Sequence, residues 1–542
     1  MKYINKLYLG IALISLTACD NYLSTVPEDA LSVETGWKTE DDAAKFVVGC
    51  YDGWEDAGTI MYLDCASDFG YNQFSWEGYN ELGNGSISPG EPGVSFYDFT
   101  TIRRCNTFLA NIDKVSFANE SDRKELIAEV KAIRAYRYFI LSNWYGGVPI
   151  IDNYTTAAEA QVPRNTEQEV HDYVYKDLKE AIADINETPS QRGRIAKGAA
   201  LAMLMRASLY WGNYQQAEDA AQQIIDLGQY SLEPGIDGFH KLFTLEGATS
   251  KEIILAVQSL EHTYSNWIPG TMYNNGEGGW SSIVPTQNCV DNFEMANGKA
   301  ITDPESGYDP IHPFYNRDPR LAKTIIYPGR NWEGSIYNTL DKTINGKKNN
   351  NFPETAQNCS KTALTWAKYT DPKSQYDDMW DTDCSPIVFR YAEVLLTWAE
   401  CENELHGPSA EVYRKINMVR ERAGMPDVDQ ALYNTKETLR ELIRRERGSE
   451  FAGEGIRRAD LVRWKTTDGK MVAEKAMTGD LTRIVGTINY DETDETRRAV
   501  IDPTQRNKIE TRTFESYNRY LPIPQSAIDA NPKLEQNPGY SK

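Results

Sequence analysis

Apolar residues recur at helical spacing in both halves of the chain, and the pattern fails between them. In Glu125–Asn143, Leu126, Val130, Ile133 and Ile140 lie three, four and seven residues apart, the stripe of an amphipathic helix. Tyr145-Gly146-Gly147-Val148-Pro149 stops it, because Gly favours the coil and Pro has no N–H to give. Gln168–Asn186 predicts a second helix, ended by Pro189 and Gly193. Ile195–Trp211 and Gln215–Leu227 predict a pair joined by Gly212-Asn213-Tyr214. A second pair, Tyr391–Leu405 and Ala410–Ala423, flanks His406-Gly407-Pro408-Ser409 and ends at Gly424-Met425-Pro426, with Lys436–Phe451 following. Gly212, Tyr214 and Ala217 hold the spacing of the turn and second helix of a tetratricopeptide unit, where small residues let helices approach; an ordinary αα-hairpin is the competing reading.

From about Gly228 to Ser385 the sequence is rich in Gly, Asn, Pro, Tyr and Trp. Ile253–Gln258 and Leu321–Tyr327 are β-like runs, too few for a major sheet. The chain therefore reads as mostly α, a helical scaffold carrying long loops, and such loops are where binding residues gather.

The N-terminus has its own pattern. Lys2 and Lys6 precede an apolar run, Leu7 to Leu16, far short of the about 20 residues that span a bilayer, so the run reads as a cleaved signal. Leu16-Thr17-Ala18-Cys19 looks like a lipobox. Residues 1–18 would be removed and Cys19 would carry acyl chains, each buried methylene adding about 0.8 kcal/mol of membrane affinity. Residues 19–33 would tether the lipid to a body formed by 34–230 and 231–542, packed as one.

The net charge of -22, from 57 Lys and Arg against 79 Asp and Glu, argues against a nucleic-acid partner, whose phosphates demand a basic surface. A neutral ligand suits it best. Besides Cys19, seven cysteines at 50, 65, 105, 289, 359, 384 and 401 show no C-x-x-C pair, and they read as buried structural thiols. The five histidines are scattered, and no G-x-S-x-G, H-E-x-x-H, Walker or G-x-G-x-x-G motif is found. No catalytic residue, metal or cofactor is expected. Asp377, Asp378, Asp381 and Asp383 could hold Ca²⁺ or form a solvated loop; their order is not that of an EF-hand.

The positive signal is aromatic residues among small polar ones. Asp68-Phe69-Gly70-Tyr71-Asn72-Gln73-Phe74-Ser75-Trp76-Glu77-Gly78-Tyr79-Asn80 sets rings among amides with no helical or strand period. A ring face suits the C–H face of a sugar while Asn, Asp and Gln meet its hydroxyls. The mixture recurs in Trp267 to Trp280, with Tyr273, Asn274 and Asn275, and at Arg330-Asn331-Trp332-Glu333. Burial in a loop core competes for each ring alone; three clusters together favour binding.

Several segments form a further pattern: Tyr22-Leu23 and Pro27; Ala132-Ile133-Arg134-Ala135-Tyr136 through Tyr145-Gly146-Gly147-Val148-Pro149; Val284-Pro285-Thr286-Gln287-Asn288; and Asn316-Arg317-Asp318-Pro319-Arg320. It continues through Phe389 to Leu396, Ile416 to Gly424, Arg445 to Trp464, Tyr520-Leu521-Pro522-Ile523-Pro524 and Asn537-Pro538-Gly539-Tyr540. On these residues the chain resembles the SusD/RagB family of Bacteroidetes outer-membrane lipoproteins. The resemblance implies a SusD-like fold of tetratricopeptide-like helix pairs with loops forming a shallow site. It also implies a surface-facing lipoprotein, anchored in the outer membrane through Cys19, that passes oligosaccharide to a SusC-like TonB-dependent transporter without cleaving it. A peptide ligand, or a mainly structural lid, are alternatives within the same architecture. The ligand residues it implies are Asn72, Trp76, Tyr79, Tyr273, Trp280 and Trp332. Gly448, Gly453 and Gly455 stand where the family more often has other residues, which predicts a local change of packing.

Overall fold

The computed structural model describes residues 36–154 and 156–540. The signal segment, Cys19 and the whole tether lie outside the described residues.

The first predicted helix spans Glu120–Tyr145 and is buried along most of its C-terminal half, from Ala128 to Tyr145. Thr100–Asn111 and Glu167–Asp184 pack against it, so it needs no wide polar face. The Glu167–Asp184 helix starts in a capping box: the Thr166 hydroxyl accepts from the Glu169 N–H at 3.2 Å, and the Glu169 carboxylate accepts from the Thr166 N–H at 2.8 Å.

The two predicted pairs form as Lys197–Tyr210 with Tyr214–Asp226, and Tyr391–His406 with Ala410–Arg422. Ala217, Ala220 and Ala221 are buried in the second helix of the first pair, the small residues that close approach requires. Tyr391–His406 packs on Tyr214–Asp226 and on Lys436–Phe451, so helices separated by the whole loop region share one core.

Buried ion pairs lock the loop region onto this scaffold. Glu450, on Lys436–Phe451, accepts from Arg320 at 2.9 Å, from Arg390 at 2.6 Å and from Arg422. Arg320 is also held by Asp318 and Glu446, Arg390 by Glu252 and Glu454, and Lys368 by Glu454. The surrounding cations hold the Glu450 carboxyl far below the ordinary carboxylate range despite its burial. Removing one partner from such a group leaves a buried charge unpaired.

Two elements differ from expectation. Leu321–Tyr327 is not one strand: Arg320–Thr324 is helical and only Ile325–Ile326 is extended, pairing with Thr365–Trp366. The Asp318 carboxylate accepts the Arg320 N–H at 2.9 Å and starts a turn that β-propensity did not foresee. A long antiparallel hairpin, Gly479–Ile488 with Ala499–Arg512, was not predicted; two register shifts interrupt its alternation.

The seven described cysteines are buried free thiols. Gly448 has a packing reason: a Cβ there would meet the Asn292 amide at 2.7 Å, and that amide donates to the Arg445 carbonyl at 3.1 Å and the Ser449 hydroxyl at 3.0 Å. Among the described residues no helix is long and apolar enough to cross a membrane.

Candidate functional site: an aromatic face on three loops

Gly70–Asn72 pairs antiparallel with Ile283–Pro285, setting Tyr71 opposite Val284. The pairing continues beyond the strands, with the Gln73 N–H donating to the Ser282 carbonyl at 3.1 Å and the Thr286 N–H to the Phe69 carbonyl at 2.8 Å. Backbone bonds carry the assembly onward: the Trp280 N–H donates to Gly270 at 3.0 Å, and the Gly270 N–H to Met379 at 3.1 Å. Asn266 and Thr382 exchange a pair of 3.0 Å bonds. Three loops far apart in sequence are thereby one hydrogen-bonded unit.

That unit displays rings. Trp76 is 72% exposed and stacks on buried Phe74, with centroids 4.6 Å apart. Trp280, 47% exposed, leans on half-buried Trp380 at 4.5 Å. Trp267 and Tyr264 are 48% and 70% exposed and open onto a cleft of about 750 Å³, also lined by Trp54, Arg192, Gln258 and Asn266. Trp267 meets Tyr62 edge-on at 6.1 Å, and Tyr62 packs on Tyr79 at 4.9 Å, which connects the cleft to the Trp76 loop.

Of the six expected ligand residues, Trp76 and Trp280 are exposed, and Gln73, three residues before Trp76, donates to the Trp280 carbonyl. Trp332 is half-buried on a two-residue hairpin, 6.3 Å from the Tyr273 ring and beneath the Arg330 guanidinium. The other three are buried. Asn72 is fully buried, its amide donating to the Ser282 carbonyl at 2.8 Å and to Glu77. Tyr79 is buried, its hydroxyl on Thr59. Tyr273 is buried and donates to the Asp371 carbonyl. Both tyrosine hydroxyls and the Asn72 Nδ2 have partners inside, and the two rings gain by leaving water.

Sequence reasoning missed Trp380 and Tyr264. Trp380 lies within the acidic run that drew attention for its carboxylates. Its position depends on Gly270, where a Cβ would come within 2.4 Å of the Trp380 ring. In the same run Asp381 accepts from the His262 N–H at 2.9 Å and bonds its Nδ1 at 2.7 Å. The Asp381 partnership raises the His262 pKa, while bonds from Ser265 and His262 hold Asp381 down to about 2. Among the described residues no group of three acidic, His or Cys side chains is arranged to hold a metal.

The profile of the SusD family matches residues 251–540, and a second, described as starch-binding associating with outer membrane, matches 72–209. The chain belongs to the SusD family. SusD-like protein P25 of Formosa agariphila is 26% identical over 492 residues, covering 86% of this chain and 90% of its own. A SusD-like carbohydrate binding protein from Bacteroides fragilis is 25% identical, with a TM-score of 0.80 over 92% of this chain and all of its own. A laminarin binding SusD-like protein, 22% identical, superposes with a TM-score of 0.68 over 93% of this chain and all of its own. The mostly helical architecture is thus that of a SusD-like protein, and the aromatic face lies on the part of the fold made from loops.

Proposed function

We propose that this SusD-like protein captures an oligosaccharide on the aromatic face and passes it, uncleaved, to a TonB-dependent outer-membrane transporter. The observation that carries the reading is the paired display of Trp76 and Trp280 on one hydrogen-bonded loop unit. Two rigid apolar faces beside amides and carbonyls fit stacked pyranose rings with their hydroxyls bonded at the edges. Trp267, Tyr264 and the cleft beside them extend the surface to more than one sugar residue. The names of the B. fragilis and laminarin binding relatives support carbohydrate as the ligand class. A net charge of -22 favours a neutral glycan. In this reading Cys19 carries the lipid that holds the protein on the outer membrane, facing outward.

Calorimetry against neutral oligosaccharides, acidic oligosaccharides and casein-type peptides tests it. Saturable glycan binding without product release, lost in Trp76→Ala and Trp280→Ala, is expected. Peptide binding in its place would move the ligand class, and release of shorter sugars would overturn capture without cleavage.

A further inference from the structure

Away from the aromatic face, a cavity of about 80 Å³ lies among the Glu120–Tyr145, Lys197–Tyr210 and Arg457–Arg463 helices. One water needs about 10–15 Å³ by this measure, so the space holds several. Most of its wall is apolar or aromatic, including Ile60, Phe139, Ile140, Trp144, Tyr210 and Val462.

Arg458 breaks that pattern. It is 6% exposed and lines the cavity, yet its described polar contact is a single bond from Nη2 to the Asn518 carbonyl at 2.8 Å. Its Nε has no partner, and among the described residues no carboxylate lies within ion-pair distance. The guanidinium sits 4.9 Å over the Trp144 ring. Burial brings its pKa down to about 10, which leaves it charged at neutral pH. Arg320, Arg390, Arg420 and Arg447, buried more deeply still, each face carboxylates, whereas Arg317 and Arg137, buried about as far as Arg458, donate to backbone carbonyls and do not line this cavity.

Of the other charged side chains around the cavity, Arg206, Glu454 and Arg519 have ion-pair partners and Glu55 has hydrogen-bond donors only. Arg206 is bound to Glu393, Glu454 to Arg390 and Lys368, and Arg519 is 3.6 Å from Glu167. Glu55 accepts from the Tyr136 hydroxyl at 2.6 Å and the Asp56 N–H at 3.0 Å. Glu55 also lines the surface cleft, so the two spaces adjoin at that side chain. A buried cation without a counter-charge is costly, and an anion bound beside it removes the cost.

We propose that this cavity is a second binding site, for a small carboxylate carrying a compact apolar body. Arg458 holds the carboxylate, and Phe139, Trp144 and Tyr210 cover the apolar part. The site is independent of the glycan reading and stands or falls by its own test.

Calorimetry on the purified protein would use benzoate, its neutral counterpart benzamide, and inorganic phosphate. Benzoate is expected to bind saturably, and benzamide and phosphate about tenfold more weakly or worse, the loss of a charge-assisted hydrogen bond or of the apolar contact. Arg458→Gln is expected to lose benzoate by a similar factor. Val462→Trp, which keeps the charge but fills the space, is expected to lose it too. No benzoate binding at millimolar concentration, equal binding of benzamide or of phosphate, or full benzoate affinity in Arg458→Gln would overturn the proposal. Should Arg458→Gln not fold, Val462→Trp decides: benzoate affinity equal to the parent protein's overturns the site, and its loss supports it.

Discussion

Gln73 donates from Nε2 to the backbone carbonyl of Trp280 over 2.9 Å, across 207 positions of sequence. The same amide reaches the Gln357 carbonyl at 3.2 Å, so one side chain ties three loop segments beneath the exposed rings. The loop backbones that carry Trp76 and Trp280 are thereby joined before any ligand arrives, which lowers the ordering that binding must impose.

Exposed and buried rings should separate cleanly by substitution. Trp76→Ala and Trp280→Ala are expected to lower glycan affinity about tenfold or more each while costing far less stability than a core substitution, because Trp76 is 72% and Trp280 47% exposed. Tyr79→Ala is expected to cost about 3–5 kcal/mol of stability, since it empties a buried site against Tyr62. Calorimetry and urea denaturation on the three variants check this. A Tyr79→Ala protein of full stability would contradict the burial of Tyr79.

Gly270→Ala should act on the site through Trp380. The added methyl would overlap the ring, so Trp380 must shift and its contact with Trp280 must change. We expect weaker glycan binding and altered tryptophan fluorescence with the fold intact. Unchanged affinity and fluorescence would show that the Trp280–Trp380 contact is not part of the binding surface.

The His262–Asp381 tie should be pH-dependent. His262 has a raised pKa, so its contribution is complete below its ordinary 6.5 and fades as pH rises through the raised value. Asp381 has a lowered pKa, so its contribution is present above 3.8 and fades as pH falls through about 2. The loops bearing Tyr264 and Trp380 are therefore joined most firmly between about pH 4 and 6.5. NMR titration should show the His262 pKa falling toward 6.5 in Asp381→Asn. No change in that variant would rule out the tie in solution.

The buried cluster around Glu450 should dominate the attachment of the loop region. Glu450→Gln leaves Arg320, Arg390 and Arg422 short of a counter-charge, and about 3–5 kcal/mol of destabilisation is expected. Urea denaturation would measure it; a loss below 1 kcal/mol, about that of a surface pair, would show that the cluster relaxes around the missing charge.

The helical scaffold was legible in the chain because helix formation is local. The Lys436–Phe451 helix appears with its predicted ends, and both helix pairs appear within two residues of theirs, since periodicity, caps and Gly-Pro stops act over a few residues. The aromatic-amide composition likewise marked the loops that build the face. Which rings reach water was decided only by the tertiary structure. Trp76 and Tyr79 stand three residues apart in one polar loop, yet one is exposed and the other packs on Tyr62, because burial depends on what the rest of the chain brings alongside. The same holds for Arg458 and Arg447, both on helices: Arg447 meets Asp460, while Arg458 meets an apolar cavity. Local sequence sets which conformations are favourable; only the long-range contacts of the folded chain assign each side chain its partner.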